Sequence, residues 1–135
     1  MKENKTIKME IGKKELLSML SQYYSEKLGQ TINVKSKVES VLKGYGMGEY
    51  EDTEVELYFS YGKSIGPTTV TITTTLEEDD IKGSLNDILS NLNYKVESIN
   101  YKKGIHLAGY YEHKEAYFNG ISLDIKEKGL EKTLR

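Results

Sequence analysis

Two histidines, His106 and His113, bracket the segment Gly109-Tyr110-Tyr111-Glu112. An imidazole beside a carboxylate is a common general acid–base pair near neutral pH. His106 with Glu112, or His113 with Glu115, offers that pairing. The same groups are also a donor set for a transition metal. Neither arrangement has a tight spacing on one helix or strand, and isolated histidines in polar corners are ordinarily solvated. His106, Glu112 and His113 therefore stand as acid–base candidates only, and no metal or cofactor is expected.

A second concentration of charge lies at Glu49, Glu51, Asp52, Glu54 and Glu56. Five acids in so short a run attract a divalent cation or a basic partner. They lack the alternating ligands and central glycine of a calcium loop. On a strand, Glu54 and Glu56 share one face and keep it soluble. The preceding Gly44-Tyr45-Gly46-Met47-Gly48 is not a phosphate loop, because no Gly-Lys-Ser/Thr ending and no helix follow it. Tyrosines in such corners are better suited to recognition, since the ring supplies contact area at little entropic cost. Tyr45, Met47 and Tyr50 in one corner, and Tyr110 and Tyr111 in another, are the interaction candidates.

The chain has 135 residues, 19 basic and 21 acidic side chains, no cysteine and one proline. The lack of cysteine excludes disulfides, thiolate zinc sites and thiol nucleophiles. A net charge of −2, spread evenly, is not the footprint of a nucleic-acid binder. The only arginine is Arg135, whereas bidentate reading of guanine leans on arginine. No DNA partner is expected. Lys13, Lys14, Lys102 and Lys103 are the residues through which a nucleic acid would have to bind. No stretch approaches the ~20 apolar residues of a membrane span. Met1-Lys2-Glu3-Asn4-Lys5 is charged, with no apolar signal core after it. A cytoplasmic protein without membrane contact is expected.

These candidates must be positioned by elements that the apolar spacing defines. Residues 5–11 alternate as a strand with Ile7, Met9 and Ile11 on one face. Leu16, Leu20, Tyr23 and Tyr24 follow at helical spacing to Gly29, which suits a left-handed cap. Strands are predicted over 31–42, 53–61 and 68–76, the last with a row of threonines at 69, 71, 73 and 75 on its outer face. Glu77-Glu78-Asp79-Asp80 opens a second helix striped by Ile81, Leu85, Ile88, Leu89 and Leu92; acids there complement the helix dipole. Further strands are predicted over 94–101, 109–118 and 121–127, the last two joined by Asn119-Gly120, a two-residue hairpin signal.

The chain repeats itself. Lys37-Val38-Glu39-Ser40 matches Lys95-Val96-Glu97-Ser98, and Gly-x-Tyr-Glu-x-x-Glu recurs at 48–54 and 109–115. Each match follows a helix. The expected fold is α+β: a single domain, 1–135, of antiparallel sheet with two amphipathic helices on one face. It would arise from a duplicated helix–strand–strand–strand unit, 13–76 and 77–127, related by a pseudo-two-fold, with an added N-terminal strand at 5–11 and a short tail at 128–135. The expected function is a small non-catalytic protein-interaction, regulatory or accessory module of a bacterium or mobile element. Its partner would be a protein, or a second copy of the chain through an edge strand. The alternative is a small-ligand-binding protein or acid–base enzyme using the cleft between the halves.

Overall fold

A computed structural model describes residues 6–44, 48, 50–108 and 113–128. Strand β1, Ile7–Gly12, runs directly into helix α1, Lys13–Leu28. Strands β2, Lys35–Lys43, β3, Tyr50–Ile65, and β4, Thr68–Leu76, follow in turn. Helix α2, Glu78–Ser90, leads to β5, Tyr94–Ala108, and β6, His113–Glu127. The strands form two antiparallel three-stranded sheets, ordered β2-β3-β4 and β1-β6-β5. The α+β expectation is met. Among the described residues no helix is long and apolar enough to cross a membrane.

The helices form where their stripes and caps direct. Leu16 and Leu20 of α1 are fully buried, and Gly29 ends the helix in the left-handed region at φ 68°. Its N–H donates to the Ser25 carbonyl at 2.9 Å, which satisfies a carbonyl the helix end would leave open. In α2 the acidic run does more than complement a dipole. Glu77 is the N-cap of a reciprocal capping box with Asp80, whose carboxylate accepts the Glu77 N–H at 2.9 Å. Ile81, Leu85 and Leu89 are buried beneath it.

Three expectations need correction. First, the segment 31–34 is not strand. Ile32 and Val34 are buried, but their N–H groups donate to the hydroxyls of Ser25 and Ser21, both at 2.8 Å. Helix α1 thus satisfies this backbone, and pairing starts only at Lys35. Second, 109–118 and 121–127 are not two strands of a hairpin: β6 is continuous through Asn119-Gly120. Tyr101 pairs with Ile121 and Lys103 with Phe118, so two residues of β6 oppose one of β5. This bulge shifts the inward positions from Phe118 to Ile121, Leu123 and Ile125, all buried. Asn-Gly marks a need for positive φ, which Gly120 meets at 113°, but within a strand and not a turn. A methyl there would lie 2.1 Å from the Ile11 carbonyl oxygen of β1.

Third, α2 is followed by two strands, not three. The third strand of its sheet is β1, paired from Ile7↔Ile125 to Gly12↔Gly120. One apolar cluster, including Leu16, Leu20, Leu57, Phe59, Ile81, Leu85, Ile121 and Leu123, draws on both sheets and both helices. Tyr24, Tyr61, Tyr94 and Tyr101 pack at its margin, ring inward as their amphipathic character favours.

Candidate functional site

The two long hairpins, β2–β3 and β5–β6, are bound together near their ends. The link is Thr53, which occupies the same inward parity as Val55, Leu57 and Phe59 and is fully buried. A hydroxyl in an apolar row must find a partner. The Thr53 hydroxyl donates to the Gly104 carbonyl at 2.6 Å, and Lys103 donates its ammonium to the Thr53 carbonyl at 2.6 Å. The Thr53 N–H donates to Asp52 Oδ1 at 2.8 Å. Asp52 in turn pairs with Lys43 at 3.0 Å. That contact, with the Thr53 N–H, holds the Asp52 carboxyl below its ordinary range. Lys114 Nζ lies 3.9 Å from Glu51 Oε2, so the second residue of β6 reaches the second residue of β3.

The strand ends that flank the two tyrosine-bearing corners therefore meet. Tyr50, at the start of β3, is exposed at 57%. Tyr45, Met47, Tyr110, Tyr111 and Glu112 lie outside the described residues, as does Glu49 of the acidic run. His113 opens β6 opposite Ala108. His106 sits directly across from Glu115, with Nε2 3.9 Å from Oε2, and both side chains are about half exposed at 51% and 53%. Its ring packs 5.3 Å from that of Tyr117, which lies across Gly104. The carboxylate beside His106 is thus Glu115. Among the described residues no group of three or more carboxylates and histidines is placed to hold a metal.

A groove of about 390 Å³ lies where β4 ends. The last β3–β4 pair is Leu57↔Leu76, so Glu54, Val55 and Glu56 have β2 on one side and the groove on the other. Glu39, Glu77 and Glu78 add three carboxylates to its lining, and Lys37, Tyr101 and the β4 end residues Thr75 and Leu76 complete it. Lys37 pairs with Glu39 at 3.1 Å. Burial, then the charges of Glu78 and Glu77, push the Tyr101 phenol up to about 12. Sequence reading found Glu54 and Glu56 but not their neighbours from α2 and β5, because nothing local marks a contact between separate elements. Thr53 did carry a signal, as a polar residue in register with an apolar row. Among the described residues no histidine lines this groove.

A second groove of similar size runs between the helices, lined by Met19, Tyr23, Glu26, Asp87 and Ile88 among others. The Tyr23 hydroxyl donates to Asp87 Oδ2 at 2.5 Å, and this hydrogen bond raises the phenol to about 12. Of the four lysines through which a nucleic acid would have to bind, Lys102 pairs with Glu10 at 3.3 Å and Lys103 is held by Thr53, while Lys13 and Lys14 are exposed on the first turn of α1. No family model, curated protein or solved structure matches the chain. Its function is inferred from these residues alone.

Proposed function

We propose that the chain is a non-catalytic protein-interaction module of regulatory or accessory type. Its contact residues are Tyr45, Met47, Tyr50, Tyr110 and Tyr111, which the sequence places in the segments between β2 and β3 and between β5 and β6. The observation that carries this reading is the Thr53–Gly104–Lys103 junction with its outlying Glu51–Lys114 pair. It ties together the strand ends on either side of both corners, so the two tyrosine-bearing segments share one support. The adjoining groove, with five glutamates against one lysine, favours a partner whose contacting segment is basic.

The repeated Lys-Val-Glu-Ser segments support a duplication, since they open or lie in β2 and β5, the first strands after α1 and α2. On this reading each half is a helix and three strands, with β1 serving as the displaced last strand of the second half. The test is affinity capture from the source cell with mass spectrometry. The tagged parent chain should retain a protein that Tyr50→Ala/Tyr111→Ala loses by at least about tenfold, as truncation of an aromatic hot spot does. His106→Ala/His113→Ala should retain it in full. Loss of the partner from the histidine variant with retention by the tyrosine variant would reverse the assignment, in favour of a ligand or acid–base site at the histidines.

A further inference from the structure

Four strands stand at the margins of the two sheets: β1 and β5 in one, β2 and β4 in the other. An open edge offers a row of unpaired backbone groups, and proteins ordinarily guard it with charge, proline or bulges. Three of the four edges are guarded. β1 carries Lys8 and Glu10, β2 carries Lys35, Lys37, Glu39 and Lys43, and β5 carries Lys95 and Glu97 together with two register irregularities. β4 reads Thr-Thr-Val-Thr-Ile-Thr-Thr-Thr-Leu, with no charge, glycine or proline, and it pairs with β3 in unbroken register from Thr68 to Leu76. Its apolar side is incompletely covered: Val70 and Ile72 are only half-buried, and Ile65 at the hairpin end is 59% exposed.

We infer that β4 pairs antiparallel with β4 of a second copy of this chain, joining two three-stranded sheets into one of six strands across a two-fold axis. The strand is complementary to itself. Centred on Ile72, the pairing sets Thr71 against Thr73, Thr69 against Thr75 and Val70 against Thr74 of the partner copy, with no like charges opposed. Such isologous contacts satisfy every requirement twice, and threonine and β-branched cross-strand pairs each add to sheet stability. The guarded edges exclude the same event at β1, β2 and β5. This surface shares no residue with the tyrosine corners and meets the acidic groove only at Thr75 and Leu76, so the pairing is tested separately from the tyrosine contacts proposed above.

Sedimentation velocity of the purified full chain over a range of concentrations tests it. The parent chain should reach the dimer. Thr71→Lys/Thr73→Lys opposes lysine to lysine in two pairs and should weaken the dimer by about tenfold or more. Thr71→Lys/Thr73→Glu opposes lysine to glutamate in the same two pairs and should restore it. Both variants lose the Ser60–Thr73 hydroxyl contact of 2.8 Å equally, and circular dichroism should show the parent fold in each. A parent chain monomeric at every concentration overturns the proposal. So does a lysine–lysine variant that dimerises as tightly as the parent, or a lysine–glutamate variant as weak as the lysine–lysine one.

Discussion

Gly120 shows how much one residue decides. Its φ of 113° and the 2.1 Å approach of the Ile11 carbonyl leave no room for a side chain. Gly120→Ala should therefore cost on the order of 3 kcal/mol or more, read as a fall in the urea midpoint, since backbone strain adds to a clash that no side-chain motion relieves. Gly104→Ala is a milder case, because its obstacle is the movable end of Tyr117. The Asn119-Gly120 pair was legible in the sequence as a demand for positive φ, but a hairpin turn and a strand bulge make the same demand, and only the partner strand tells them apart. Tyr23 and Tyr101 give a second prediction. Both phenols are raised from 10.0 to about 12, Tyr23 by its bond to Asp87 and Tyr101 by burial. The unfolded chain thus ionises first as pH rises. Their contribution to stability is complete below pH 10 and lost through about 12. Tyr23→Phe/Tyr101→Phe should flatten the alkaline loss of stability, measured as the change in urea midpoint between about pH 9 and about pH 11.

Among the elements, the helices were the most legible and the hairpin junction the least. The stripe at Leu16 and Leu20, the glycine at 29 and the acids at 77–80 are local signals, and local signals fix a helix and its ends. The threonine row of β4 was equally plain, because alternation is also local. The ends of β5 and β6 were not, since the sequence there changes parity at bulges and loses its alternation. The joint at Thr53 is made between strands separated by more than a third of the chain. That joint is testable. Thr53→Val keeps the shape but leaves the part-buried Gly104 carbonyl without the Thr53 donor, and should cost about 1–2 kcal/mol. If the joint also supports the tyrosine corners, the same variant should bind the captured partner more weakly than Thr73→Val, a matched change on the exposed face of β4.

For the molecule as a whole, charge distribution separates two kinds of surface. The groove beside the junction is acidic and the β4 edge is neutral, and the two meet at Thr75 and Leu76; a partner segment that fills the groove and a second copy of the chain therefore compete for the end of β4. The placement of β1 has a consequence for how the chain is made. Ile7 leaves the ribosome before all of α1 through β5, and its mate Ile125 only after them. Until then β1 has no mate and the β6 sheet cannot close, whereas α1 through β4 can already associate. Closing so distant a pair is slow, because the entropy of joining remote segments is lost before any contact rewards it. Synthesis would then leave one sheet assembled while the other still lacks a margin, and the growing polypeptide would carry β1 bare until β6 emerges.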